Sequence, residues 1–362
     1  MDVKLHKLQV TNFRNLSDDI FEFSDNINCI FGDNGNGKTN ILEAIHYLIN
    51  RKSFRKNTSF PQIISIESEK PEIIFSSILK QEGNLFPYTG KWSLKSHEWY
   101  IDNVSTKKKP NLSTVFINPF DSYSFHSIPA FRRDWFDSLF SKLSSDYKKS
   151  LKLFSDSLKF RNNLLSKRPN QYREQIKAIN PSLAENTFKL LKLRDKYVAG
   201  IESYCTKIFK DIFHEEHELK IKMESKFHGK TIEEIHTFYD ESIQKDEIMF
   251  KTHYGIHRDD YVLQFDGFNS YEYCSLGQQK MSFLSLIFAY IELFRYKFTS
   301  YPIVLIDDVS GELDSRRWKN LIDYLRDKKF QVMITTANEN FRNKLESIEE
   351  SKKFYITNGH IE

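Results

Sequence analysis

A chain of 362 residues exceeds the size at which one hydrophobic core usually keeps growing, which predicts two lobes. Its longest apolar stretch, Met281 to Phe294, is broken by Ser282, Ser285 and Glu292, so no membrane span is expected, and the opening MDVKLHKLQV has no signal-peptide core, so a cytoplasmic protein is expected. The net charge of +4 does not by itself announce a nucleic-acid binder, and Cys29, Cys205 and Cys274, odd in number and far apart, indicate neither a disulfide framework nor a zinc site and read as buried thiols.

Alternating residues in Lys4 to Phe13 and Ile20 to Phe23 predict antiparallel strands leading, in a mixed sheet, to the short apolar run Ile27 to Phe31. The next nine residues, GDNGNGKTN from Gly32 to Asn40, satisfy the GxxxxGK[ST] phosphate-loop pattern in full. Gly32, Gly35 and Gly37 let backbone N–H groups approach phosphate oxygens, Lys38 places a charge on the outer phosphates, and the Thr39 hydroxyl is a magnesium ligand. Asp33, Asn34, Asn36 and Asn40 complete the nucleotide-binding set. Glycine is only 12 of 362 residues, yet three fall within six positions here, which argues against an accidental turn. Ile41, Leu42, Ile45, Leu48 and Ile49 then follow at helical spacing, so strand, loop and helix come in the required order.

The helix exit RKSFRKN carries Arg51, Lys52, Arg55 and Lys56, candidate contacts to nucleic-acid phosphates. Short β-like runs at Ile73 to Leu79, Lys91 to Leu94, Trp99 to Asp102 and Ser113 to Ile117 predict a β-rich sublobe; Lys107 to Lys109 before Pro110 reads as a solvated loop. From Asp121 to Phe250 the pattern becomes helical, interrupted at Pro169 and Pro181, and too irregular in its heptads for a long stalk, which predicts a compact helical arm. Charge is uneven there: Lys142 to Lys196 holds 14 basic against 5 acidic residues, and Ile201 to Phe250 holds 7 against 12. The 31 Phe and 18 Tyr, spread over the chain, read as core rather than as base-stacking platforms.

Strand signals return at Lys251 to Phe265. In SLGQQK, Ser275 to Lys280, a small polar residue and Gly277 precede an apolar helix whose N-terminus offers N–H groups and a hydroxyl to an anion. Ile303 to Ile306 is an apolar strand ending in Asp307, a metal ligand, and Asp308. The loop VSGELDSRR with Gly311, Glu312 and Asp314 follows, then a buried strand from Gln331 to Thr335 and a hairpin at Asn358-Gly359.

Together these residues resemble the RecF family of bacterial recombinational-repair ATPases, related to chromosome-maintenance and ABC-type ATPase heads. Further landmarks are NFRN at Asn12 to Asn15, KSFR at Lys52 to Arg55, Pro-x-Asp at Pro119 to Asp121, IPAFRRDWFD at Ile128 to Asp137, FRNNLL at Phe160 to Leu165, GIHRDDY at Gly255 to Tyr261 and DDVSGELDSRR at Asp307 to Arg317. The resemblance covers nearly the whole chain. It implies an α/β fold, a P-loop ABC-type ATPase head (1–120 and 251–362) with a mixed β sublobe and an inserted helical arm domain (121–250). It implies ATP and Mg2+ as cofactors and an ATP-dependent homodimer in which Ser275, Gly277 and Gln278 complete the partner's site. It implies DNA binding at single-strand gaps and duplex junctions, work with RecR and RecO and indirectly with RecA, and slow hydrolysis with Lys38 and Asp308 as catalytic residues.

The sequence departs from the wider superfamily at several points. Gln278 stands where the signature usually has a second glycine, no glutamine occupies the Pro119 region, Thr335-Thr336 stand where many relatives have a switch histidine, and Asp308 replaces a catalytic glutamate. His257 reads equally as a participant or as a structural histidine. The alternatives are another chromosome-maintenance-like ATPase acting on DNA, a DNA-binding scaffold that holds ATP without turnover, and a small-molecule P-loop kinase; HRDD argues against the first, and the signature segment with DDVSGELD against the last.

Overall fold

A computed structural model describes residues 3–308, 314–327 and 330–362, apart from the side chains of residues 119 and 120. The chain forms two compact units, the first from Met1–Asp121, Asp211–Phe213 and Phe294–Glu362, the second from Ser122–Lys210 and His214–Leu293. Residues 251–293, expected with the nucleotide-binding lobe, thus group with the helical unit.

The first unit carries two six-stranded sheets. One is built from β1 (Val3–Thr11), β2 (Phe21–Glu22), β4 (Glu72–Gln81), β5 (Asn84–Ser93), β6 (His97–Ile101) and β7 (Val104–Ser105), in the antiparallel order β2-β1-β4-β5-β6-β7. In β1, Val3, Leu5, Leu8 and Val10 are buried, and the change of phase between Leu5 and Leu8 coincides with a register shift between Leu5 and Lys7, a bulge that returns the apolar side chains to one face. Aromatic rings fill this core: Tyr47 stacks on Trp92 at 4.5 Å and on Phe75 at 5.5 Å, and Trp99 stacks on Tyr88 at 5.3 Å.

The other sheet takes β3 (Ile27–Phe31), β8 (Thr114–Ile117), β12 (Ile303–Asp307), β13 (Val332–Thr336), β14 (Lys352–Thr357) and β15 (His360–Ile361), ordered β15-β14-β3-β13-β12-β8. All its pairings are parallel except the terminal hairpin, which turns through Asn358 (φ 51°) and Gly359 (φ 86°), both left-handed as a two-residue hairpin requires. Every residue of β3 and β13 is buried, as expected for parallel strands covered on both faces. Two sequence expectations change here. β1 and β2 do not share a sheet with β3, and β8, expected in the β-rich sublobe, pairs instead with β12. The helices lying wholly in this unit, among the described residues, are α1 (Lys38–Asn50), α2 (Phe60–Ile63), α11 (Ser315–Asp327) and α12 (Glu339–Glu346).

The second unit holds α4 (Pro129–Leu143), α5 (Ser145–Lys167), α7 (Ile232–Glu241), α8 (Ile243–Met249) and α9 (Ser270–Tyr273), while α3 (Pro119–Ser127), α6 (Tyr172–Phe213) and α10 (Leu276–Phe298) contribute residues to both units. Pro181 does not interrupt: it lies inside the 42-residue α6. Nor is the stretch to Phe250 all helix, because β9 (Leu219–Glu224) joins β10 (Asp260–Phe265) and β11 (Phe268–Asn269) in an antiparallel sheet, burying Leu219, Ile221 and Met223 and exposing the charged residues between. The three cysteines are free; Cys29 and Cys205 are buried, but Cys274 is only half-buried, contrary to expectation.

Candidate nucleotide-binding site

The phosphate loop leaves the carboxyl end of β3 and enters α1, the place where open parallel sheets bind ligands. Gly32 has φ 150°, and a Cβ there would lie 2.3 Å from the Ile356 carbonyl oxygen, so only glycine fits between loop and β14. Gly37, at φ 103°, is the N-cap of α1 and supplies no side chain to the helix's first N–H groups. Asn40 N already donates to Gly37 O at 2.9 Å, which leaves the N–H groups of Lys38 and Thr39 to an anion. The loop is pinned from outside: Asn36 Nδ2 donates to Ile356 O at 3.1 Å, Gly359 N to Asn36 O at 3.0 Å, and Asn15 Nδ2 to Gly35 O at 3.1 Å. Asp33 and Asn34 sit on its exposed rim.

Lys38 folds its ammonium back under the loop, donating to the Gly32 and Asp33 carbonyls at 2.8 Å each. Burial pulls its pKa below the ordinary value, while Asp308, Asp307 and Asp33 oppose that shift. Thr39 Oγ1 lies 2.9 and 3.0 Å from the two Asp307 carboxylate oxygens, and Thr335 Oγ1, on the strand between β3 and β12, donates to Asp307 Oδ1 at 2.7 Å. A hydroxyl and a carboxylate converging beside the phosphate loop are hard oxygen donors, the chemistry that suits magnesium. Asp308, at φ 43°, is held by its N–H, which donates to Thr335 O at 3.2 Å and Thr335 Oγ1 at 3.1 Å. Thr335, singled out in the sequence only as a departure, thus orients both aspartates. Gly311 and Glu312 lie outside the described residues; Asp314 is exposed ahead of α11.

Glu43, wholly buried on α1, was missed by sequence reasoning. It takes Arg14 in a two-pronged pair (Nε–Oε2 3.1 Å, Nη2–Oε1 2.9 Å), Arg55 at 2.9 Å and the Ser53 hydroxyl at 2.6 Å. Arg55 also donates to Asn40 Oδ1 at 2.9 Å, and Asn40 Nδ2 to Asn15 Oδ1 at 2.7 Å. NFRN and KSFR therefore meet on the loop's helix. Arg55 pairs with Glu43 while its own side chain stays 37% exposed, and Arg51 turns onto the carbonyls of Lys107 and Lys108; Lys52 and Lys56 are exposed. Burial raises the Asp121 carboxyl to about 6, with Lys56 pulling it the other way.

In the second unit, Ser275 and Gln278 form a reciprocal cap at the start of α10: Ser275 N donates to Gln278 Oε1 at 2.9 Å, and Gln278 N to Ser275 Oγ at 3.3 Å. Gln278, where a second glycine is usual, thus closes the turn, with Gly277 inside it. Behind the turn, Gln279 Nε2 donates to the carbonyls of Ser270, Tyr271 and Cys274 at 3.2–3.3 Å. His126 braces the same turn, its Nε2–H donating to Gln279 O at 3.0 Å and its Nδ1 accepting from Ser270 Oγ at 2.9 Å. Burial drives the His126 pKa to about 4, so it is neutral at pH 7.

The remaining landmarks bind one another. Arg132 grips Asp260 with two bonds of 2.8 Å, and Arg133 Nη1 donates to Asp259 O at 2.9 Å. Buried Arg194 reaches Asp259 at 3.1 Å, Asp137 at 2.9 Å and the Tyr147 hydroxyl at 3.0 Å. His257 Nε2–H donates to Thr252 O at 3.3 Å, and burial lowers its pKa to about 4; it holds backbone in the second unit. HRDD is thus a packing motif read by arginines from α4 and α6.

A family model described as the RecF/RecN/SMC N terminal domain matches residues 4–360. "DNA replication and repair protein RecF" of Clostridium tetani (strain Massachusetts / E88) is 30% identical over 97% of this chain and 97% of its own length. The protein of the same name from Oenococcus oeni (strain ATCC BAA-331 / PSU-1) is 30% identical over 99% of each chain. Among solved structures, one titled "Structure of the recombination mediator protein RecF-ATP in RecFOR pathway" superposes with a TM-score of 0.83 at 24% identity, covering 100% of this chain and 97% of that one. An Smc head domain from Pyrococcus furiosus superposes at 0.56 with 13% identity, over 99% of this chain and 95% of that one. The fold is that of a P-loop ABC-type ATPase head.

Proposed function

The chain belongs to the RecF family within the RecF/RecN/SMC N-terminal domain proteins, and from that membership we propose that it is an ATP-dependent DNA-binding protein of recombinational repair and replication restart. The observation that carries this reading is the Thr39 hydroxyl at 2.9 and 3.0 Å from Asp307, 268 positions away in sequence, beside a phosphate loop with Lys38 in its cradle. Residues 32–40 bind ATP: the backbone donors of the loop and α1 take phosphate oxygens, and Lys38 exchanges its two carbonyl partners for the outer phosphates. Thr39 and Asp307 would hold magnesium, which would supply positive charge to offset that of the phosphates. Asp308, its backbone fixed by Thr335, is the general base for slow hydrolysis that acts as a switch.

The capped turn at Ser275, with Gly277 and Gln278, meets the γ-phosphate held by a second molecule, so ATP drives head-to-head dimerisation. Ser275 Oγ already accepts from Gln278 N, which leaves its proton as a donor to that phosphate. The second unit, built around the helical arm, and the exposed cations of the first grip DNA phosphates at single-strand gaps and junctions. RecR and RecO are the partners, RecA loading and SOS induction the outcome, and the cytoplasm the location. Sedimentation with ATP, ADP and no nucleotide, each with and without gapped DNA, tests this. Dimers formed only with ATP and bound to gapped DNA are expected; nucleotide-independent sedimentation overturns it.

A further inference from the structure

The Lys107–Lys109 run is not a loose loop. Arg51, which ends α1 in the left-handed region at φ 54°, donates Nη1 to Lys107 O at 2.9 Å and Nη2 to Lys108 O at 2.5 Å. Its Nε reaches the Tyr88 hydroxyl at 3.3 Å, and its guanidinium stacks over Trp99 at 4.9 Å. Lys109 Nζ donates to the carbonyl of Asn50, the last residue of α1. Two carbonyls and one ammonium thus moor this segment to the helix end that also carries Lys52.

The consequence is a division of labour among the cations. Arg51 has its donors on backbone and a phenol and its face on an indole. Lys52, Lys107 and Lys108 are exposed and have no ion-pair partner among the described residues. Three exposed cations on backbone that Arg51 and Lys109 tie together repel one another, and a chain of evenly spaced anions offsets that repulsion. Lysines on flexible stems suit phosphates along a backbone, where position matters and base identity does not.

We propose that Lys52, Lys107 and Lys108 form a platform for the phosphate backbone of duplex DNA, with Arg51 as the positioning residue that builds it without touching DNA. The proposal rests on the DNA-binding reading above. Affinity for a gapped duplex is measured over a salt series with ATP present. The Lys107→Ala/Lys108→Ala variant should lower the slope of log K against log salt by about 1.8, at roughly 0.9 for each duplex phosphate no longer neutralised, with ATP affinity unchanged. Arg51→Gln should produce a comparable decrease although it removes one charge, and adding it to the double variant should change the slope no further. A native slope in the double variant, with native protein binding DNA, overturns the platform alone. A further drop of about 0.9 in the triple variant shows Arg51 contacting DNA and overturns its positioning role. Native protein that binds no DNA overturns the parent reading and this one with it.

Discussion

Arg161 Nη1 lies 2.6 Å from Asp246 Oδ2, and both side chains are wholly excluded from solvent. Asn180 Oδ1 at 3.0 Å and Thr252 Oγ1 at 2.7 Å take two more guanidinium donors, and the His253 N–H donates to Asp246 Oδ1 at 2.8 Å. The pair thus joins α5, α6 and α8 to the segment before β10. Arg161→Met leaves Asp246 buried without its counter-charge and should destabilise the second unit by about 3–5 kcal/mol. Chemical denaturation measures this, and Arg161→Met/Asp246→Leu should recover much of the stability, since neither charge is then stranded.

The neutral His126 makes stability depend on pH. Its folded pKa of about 4 lies below the ordinary value of 6.5, so between these limits the unfolded chain binds more protons. Its contribution is full above pH 6.5 and is lost progressively as pH falls towards 4. His126→Gln keeps an amide donor for Gln279 O and cannot titrate. Near pH 5 the slope of unfolding free energy against pH should therefore fall by up to about 1.4 kcal/mol per pH unit in the variant. An unchanged slope would show that His126 is protonated in the fold.

Ser275 offers a substitution that separates helix capping from phosphate contact. Aspartate caps a helix as well as serine does, so Ser275→Asp should preserve the start of α10. Its carboxylate would face the γ-phosphate of a second molecule, and like charges there should abolish ATP-dependent dimers. Light scattering should show monomers with ATP, while calorimetry shows native ATP affinity. Dimers at native strength would remove Ser275 from the interface.

The phosphate loop, α1 and Asp307 were legible because each is a local pattern: glycines, a 3.6-residue period, and an apolar strand ending in a carboxylate. Glu43 was not, because a charged residue on a helix is ordinarily a solvated one, and nothing near it in sequence announces Arg14 29 positions before. HRDD was recognised as a landmark but not understood, since Arg194 approaches it from 65 positions away. The partners of Arg51 and Arg55 were not legible either: basic composition announces a charge, and only the tertiary fold brings Arg51 to the Lys107 and Lys108 carbonyls and Arg55 to Glu43. β9 was legible in the alternation of Leu219, Ile221 and Met223 with charged residues, but the helical signals around it masked a six-residue period-2 run.

The two aspartates at the end of β12 should separate into distinct functions. Asp307 accepts hydroxyl donors from Thr39 at 2.9 Å and Thr335 at 2.7 Å, so Asp307→Asn keeps an oxygen for both hydroxyls while removing the charge that a cation needs. Asp308 has its backbone, not its carboxylate, fixed by Thr335, so Asp308→Asn leaves that anchor in place. Asp307→Asn should therefore erase the dependence of ATP affinity on magnesium, and hydrolysis should fall with it. Asp308→Asn should bind ATP and magnesium normally and slow phosphate release by roughly 10²-fold or more, the usual contribution of a general base. A magnesium titration followed by calorimetry, and phosphate release at saturating ATP, measure the two effects. Native turnover in Asp308→Asn would assign the base elsewhere, and retained magnesium dependence in Asp307→Asn would remove that carboxylate from the metal site.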